Sequence, residues 1–157
     1  MNGDAPIGGR NFVVRVTRRG PRGGVRDEWK LDCRQVILPV LRVGEPKPPV
    51  IGRPTEDRAA PSDRDAAGDE LLVLRRGHTG STELSDWWMH ERDALLRGSH
   101  DVEVTVLDDA GRGVTTWRST GCHLVDLRFS PLDALESAVL IETAAISFAT
   151  VTQSAHR

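Results

Sequence analysis

At 157 residues the chain is long enough to bury one core and too short for two comfortable ones. Hydrophobic residues at 38% and charged residues at 28% describe a globular protein rather than a disordered or membrane-spanning one. A formal net charge of -2, from 21 basic and 23 acidic residues, removes any global electrostatic case for nucleic acid or an anionic membrane as partner.

That near-neutral total is a sum of unlike parts. Residues 1–55 carry 11 Lys and Arg against 5 Asp and Glu, a balance of +6, whereas residues 56–157 carry 10 against 18, a balance of -8. The first nine residues, Met1 to Gly9, show no basic region followed by an apolar core, so no secretory leader is expected and the protein should begin life in the cytoplasm. Apolar runs such as Leu71 to Leu74 and Ala138 to Ile141 are strand-sized, far short of the ~20 residues that cross a bilayer, and no membrane anchoring is expected.

In chain order, Phe12 to Val16 is compact and β-branched and runs into the turn-rich Arg19 to Gly24, as a strand entering a hairpin does. Trp29, Leu31 and Cys33 then alternate with polar residues, the period of two of a strand with one buried face. Apolar residues continue through Val36 to Val43, where Pro39 demands an edge, a bulge or a break. From Gly44 to Asp69 five prolines punctuate a stretch with almost no large apolar residues, which predicts a long mobile loop over 44–69 within a single domain spanning 1–157.

Glu70 to Arg76 reads as another strand, followed by a turn at Gly77 to Gly80. Between Ser81 and Arg97, Leu84, Trp87, Trp88 and Leu95 share one helical face. Ser81 or Thr82 can cap its start, Glu83 and Asp86 suit the positive first turn, and Arg97 followed by Gly98 closes it. Val102, Val104 and Val106 alternate into Asp108 to Gly113 and out through Val114 to Ser119, a β-hairpin pattern. Cys122 to Phe129 makes a further strand, Ser130 to Asp133 a turn, and Val139 to Phe148 a long closing strand. The expectation is a mainly β domain of about seven strands with one α-helix.

Catalytic and ligand-binding patterns are weak. Gly111-Arg112-Gly113 lacks the third glycine and following helix of a dinucleotide site and reads as a hairpin turn. Asp108-Asp109 fits a turn at a strand end better than paired catalytic carboxylates. Cys122 and His123 project to opposite faces of a strand, which defeats joint ligation or a thiolate-imidazole pair, and Cys33 and Cys122 read as two buried, reduced thiols. Trp87 and Trp88 splay by about 100° on a helix, so one serves the core and the other an interface, in preference to a stacking platform for a base or sugar. No catalytic residue, cofactor or metal site is assigned.

The run Leu72-Val73-Leu74-Arg75-Arg76-Gly77-His78-Thr79-Gly80-Ser81-Thr82-Glu83-Leu84-Ser85-Asp86-Trp87 resembles the strand, Arg-Gly turn and Thr-Gly-Ser-Thr-Glu-Leu helix start of phage tail tube proteins. The same family supplies the tubes of extracellular contractile injection systems. The resemblance continues through Val102 to Asp108, the Asp-Asp-Ala-Gly turn, Val114 to Trp117 with its Gly-Cys-His-Leu continuation, and Ile141-Glu142. The opening Gly9 to Val16 also fits, so residues 9 to 153 are covered.

What the resemblance implies is a β-sandwich or split barrel with a flanking helix, similar also to the type VI secretion ring protein. Copies would close into hexameric rings that stack into a hollow tube inside a contractile sheath. Implied partners are the chain itself, the sheath protein, baseplate or tube-initiator and cap proteins, and a luminal cargo effector or phage DNA, in an injection particle or virion tail. In place of a Tyr-Arg-Glu-Gly-Gly-like segment and short lysine-rich hairpin, this chain has Leu41 to Pro46 and the proline-rich loop. Stacking contacts are expected from Arg42, Glu45, Arg53, Glu56, Asp57 and Arg58, and sheath contacts from His90, Glu91 and Arg97. A tube initiator or baseplate-proximal paralogue is the alternative, with a small-ligand-binding β-domain further behind.

Overall fold

The structure is a computed structural model and describes residues 9, 11–20, 22–41, 70–93 and 100–156. The expected loop at 44–69 lies outside them. Eight strands and one helix follow in the order β1 (Phe12–Arg19), β2 (Val25–Leu31), β3 (Gln35–Ile37), β4 (Leu72–Gly77), α1 (Glu83–Arg92), β5 (His100–Leu107), β6 (Gly113–Phe129), β7 (Ile141–Ser147) and β8 (Thr150–Ala155). All pairings are antiparallel, in the order β2-β1-β5-β6-β7-β4-β3, with β8 also on β6.

Strand β6 organises the fold. Its first half pairs with β5 and β8, Val104 opposite Trp117 and Trp117 opposite Gln153. Its second half pairs with β7, Leu127 opposite Ala144. The sequence reading expected two separate strands here, Val114–Ser119 and Cys122–Phe129; they are one strand of 17 residues that passes from one half of the sheet system to the other. The passage is made at Gly121, whose φ of 62° is in the left-handed region and whose missing Cβ would stand 2.8 Å from that of Ala149. Ala149 N donates to Thr120 O at this crossing, 2.8 Å. The expected closing strand, Val139 to Phe148, is β7, and a further strand, β8, follows it and returns to the first half of β6. The strand Thr150–Ala155 was not foreseen because Thr152, Gln153 and Ser154 carry no apolar alternation.

Alternation places the core. Val14 and Val16 on β1, Leu31 on β2 and Val102 and Val104 on β5 face inward from one half. Leu72 and Leu74 on β4, Leu124 on β6 and Ala144 and Ile146 on β7 face inward from the other. Leu84 and Trp87 of α1 and Cys122 complete one continuous cluster, so the two halves lie over one another as the layers of a sandwich. Each fully buried Val or Leu here contributes roughly 1.5–3 kcal/mol. The apolar run after Cys33 gives only the short β3, which stops two residues before Pro39.

The helix lies across the joint. It begins after Thr82, whose side chain makes no capping bond to the backbone but donates to Asp86 Oδ2, 3.0 Å. Ser81, the other expected cap, instead accepts from Arg76, 2.9 Å. The expected helix extended to Arg97, which lies outside the described residues.

Candidate assembly surface

Three groups of residues hold α1 to the joint, and each includes a buried polar atom that would be costly without its partner. Arg76, on β4, donates through Nε to Glu142 Oε2 at 2.7 Å, and through its terminal nitrogens to Glu83 Oε2 and Ser81 Oγ, both at 2.9 Å. Glu142 is 0% exposed, and its other oxygen meets His78 Nδ1 at 2.9 Å. Burial alone would lower the Arg76 pKa; its bonds to Glu142 and Glu83 outweigh that and raise it, so the guanidinium stays charged.

The second group is aromatic. Trp87 stacks on His100 with ring centroids 4.4 Å apart, and Trp29 meets the same imidazole edge-on at 6.1 Å. Desolvation pushes the His100 pKa down to about 4, against the weaker pull of Glu91, so the ring is neutral at physiological pH. The third group is Glu91, which accepts from Trp87 Nε1 at 3.0 Å and from Leu124 N at 3.3 Å, with His123 Nδ1 also 3.3 Å from its second oxygen.

These contacts revise the expected outward face of α1. Glu91 is turned onto β6 and is only 10% exposed, because one turn after Trp87 it reaches both the indole N–H and the amide of Leu124 on β6. His90 is half-buried in a groove of about 560 Å³ between α1 and β2, alongside Arg18, Trp29 and Met89. Asp27, Glu28, Glu83 and Asp86 also line that groove, and Trp29 Nε1 and Arg18 Nε are buried in the structure without a hydrogen-bond partner. Arg97 and the six residues expected to stack rings, Arg42, Glu45, Arg53, Glu56, Asp57 and Arg58, lie outside the described residues.

Of the two tryptophans, Trp87 takes the core position and Trp88 faces outward. Trp87 is 1% exposed and has both its ring face and its N–H engaged, whereas Trp88 is exposed beside Met89 and has Arg92 5.3 Å above its ring. Cys122 is buried and Cys33 half-buried; desolvation pushes both thiols up to about 12, which leaves them protonated and unreactive. Among the described residues no three His, Cys, Asp or Glu side chains are placed to hold a metal ion. No helix among them is long and apolar enough to cross a membrane.

What the surface offers is edges and apolar side chains. Strands β2, β3 and β8 each pair on one side only among the described residues, leaving rows of backbone donors and acceptors for other strands. The β6–β7 connection projects Leu132, Leu135 and Val139 at 85%, 96% and 63% exposure. Sequence reasoning treated this connection as a turn and a strand start, and missed it as a surface. The signal was present in the spacing of those three residues, with no basic residue among 129–140.

The family model described as "T4-like virus tail tube protein gp19" matches residues 65–152, and the chain belongs to that family. No curated protein sequence matches it. Among solved structures, the chain is similar to one from the sheath/tube terminator of the PVC extracellular contractile injection system in its extended state. That likeness has a TM-score of 0.66 and 18% identity and covers 97% of this chain and 99% of that one. A chain of the PVC sheath-tube complex gives a TM-score of 0.64 at 19% identity, covering 98% of this chain and 94% of that one. Hcp1 from Flavobacterium johnsoniae gives 0.52 at 18% identity, covering 92% and 96%. The shared fold is thus the tail-tube and Hcp-like β-sandwich.

Proposed function

We propose that the protein is a subunit of the inner tube of a contractile injection system or phage tail, assembling as hexameric rings that stack around a lumen for cargo or DNA. The observation that carries this reading is the tail tube family match over residues 65–152, on a fold whose strands β2, β3 and β8 pair on one side only among the described residues. Strands from several copies can continue one another into a closed wall, which removes the edges that would otherwise invite aggregation. Head-to-tail contact between rings is heterologous and propagates, as a tube requires.

In this reading the chain is made in the cytoplasm and takes part in no catalysis. The loop at 44–69, with Arg42, Glu45, Arg53, Glu56, Asp57 and Arg58 in or beside it, contributes to ring stacking, and His90 and Arg97 meet the sheath. Glu91 is not part of that contact, since its carboxylate is spent on Trp87 and Leu124.

Negative-stain microscopy of the purified protein tests the assembly. Stacked rings with an open lumen support a bulk tube subunit, and single rings that do not stack identify the initiator or baseplate-proximal alternative. A protein that stays monomeric across concentration and salt overturns both. Deleting Val50 to Asp65 should leave the fold intact and shorten the tubes; normal tubes would remove the loop from the stacking contact.

A further inference from the structure

The β6–β7 connection displays aliphatic and acidic side chains, and one end of the sandwich opens into a cavity with apolar walls and a basic residue, Arg34, in its lining. Residues 131–139 are exposed throughout, yet their backbone is tied by hydrogen bonds. Leu135 N donates to Asp133 Oδ1 at 2.9 Å, Glu136 N to Asp133 O at 3.2 Å, and Ser130 and Ile141 exchange bonds at the base, Ser130 N to Ile141 O and Ile141 N to Ser130 Oγ, both 2.9 Å. Three large aliphatic side chains held in water on a shaped loop are the mark of a surface that meets a partner. Asp133 and Glu136 lie between them, and residues 129–140 contain no Lys, Arg or His.

At the start of β6 the sandwich opens into a cavity of about 830 Å³, a size that accommodates a ligand or an inserted loop. Its walls include the half-buried Val36, Leu38, Val106 and Trp117. Among the described residues, its charged or titratable lining consists of Arg34 and His156, with no carboxylate. The loop leaves one end of β6 and the cavity is built around the other, and the exposure of Leu132 and Leu135 shows that the loop does not fill its own molecule's cavity.

We propose that the loop 131–139 of one copy seats in the cavity of a second copy, with Leu132 and Leu135 against Val36, Leu38 and Trp117, and with Asp133 and Glu136 facing Arg34. The inference rests on the self-assembly reading and deepens it by naming a contact. Joined head to tail, an acidic apolar knob and a basic-rimmed apolar socket on different surfaces make a heterologous interface, which closes a ring or extends a stack. The buried core of such a contact is apolar and its charges lie at the rim, so the charged pairs set register and the aliphatic residues supply affinity.

The test uses the full chain. Leu135→Cys and Val36→Cys proteins, each keeping the native cysteines, are mixed under assembly conditions and oxidised. A disulfide joining one variant to the other is expected, with none when either is mixed with unsubstituted protein. In parallel, Leu132→Asp/Leu135→Asp should unfold at the parental temperature and lower the fraction sedimenting as assemblies by at least about tenfold. Asp133→Arg/Glu136→Arg should lower it, with partial recovery in an Arg34→Glu background. Normal assembly by the Leu132→Asp/Leu135→Asp protein, without a crosslink in the mixture, overturns the contact while leaving the tube reading intact. Absence of any assembly by the parent protein fails the tube reading itself.

Discussion

Within fourteen residues of the β6–β7 hairpin the usual distribution of side chains is inverted. Leu132, Leu135 and Val139 stand in water, and Glu142, three residues past Val139, is 0% exposed. The two departures answer to different demands. A buried carboxylate bound to Arg76 and His78 adds little net stability over well-packed apolar residues, because both ions lose their hydration; it fixes which way β4, β7 and the start of α1 fit together. Exposed leucines add nothing to the fold of one copy and cost solubility, so their return lies in contact with another molecule. Regions that look equally anomalous by composition therefore separate into one that orients the subunit internally and one that, in the proposed contact, joins subunits. The variants below should affect monomer stability at the first and association at the second.

The largest effect on stability should come from breaking the buried pair on one side. Glu142→Ala leaves the Arg76 guanidinium buried without its main partner and should cost about 3–5 kcal/mol, read as a drop in thermal and urea midpoints. Replacing both, Arg76→Met with Glu142→Leu, should recover most of that loss. A double variant as unstable as the single one would show that the pair supplies net stability and not orientation.

Next is the pH response of His100. Its folded pKa of about 4 lies below the ordinary histidine value near 6.5, so the unfolded chain binds the extra proton first as pH falls. The burial of neutral His100 therefore supports the fold fully above about pH 6.5 and loses ground as pH drops toward 4, by on the order of 3 kcal/mol. Stability measured from pH 7 to pH 4 should fall less steeply in His100→Gln than in the parent, even though the variant begins less stable through loss of the Trp87 stack. Parallel slopes would mean that other groups carry the acid sensitivity.

Gly121→Ala comes third. A left-handed φ and a 2.8 Å approach to the Ala149 Cβ together should cost about 1–3 kcal/mol. Ala149→Gly should relieve the contact part of that penalty and leave the backbone part. Full recovery would locate the whole cost in the collision.

Strands β1, β2, β4, β5 and β7, the two halves of β6, and the helix were legible because each carries its own local pattern. Val14 and Val16, Val102 and Val104, and Leu72 and Leu74 alternate within single segments. What was not legible depends on partners distant in sequence. The continuity of β6 through Gly121 is decided by Ala149 and by the change of neighbour from β5 to β7, and β8 exists because β6 offers it an edge. Glu91 looked like a solvated helix residue, since nothing in its own segment reports the amide of Leu124. The apolar loop failed for the opposite reason: its pattern was local and visible, but Ser130-Pro131 and Asp133 announced a turn strongly enough to hide what the turn displays.

The smallest effect on the isolated subunit, and the sharpest separation of the two regions, belongs to salt and the loop charges. Asp133→Asn/Glu136→Gln changes exposed groups and should shift monomer stability by no more than about 0.5 kcal/mol. If Asp133 and Glu136 face Arg34 across copies, assembly of the parent should weaken as ionic strength rises, because rim charges are screened beyond a Debye length of roughly 8–10 Å. The neutralised variant should assemble less well at low salt and lose the greater part of that salt dependence. The buried Arg76–Glu142 pair, shielded from counterions, should show no such response in the unfolding of single subunits. A salt slope unchanged by neutralising the loop would place the electrostatic contact elsewhere, with the acidic groove of Asp27, Glu28, Glu83 and Asp86 as the next surface to neutralise.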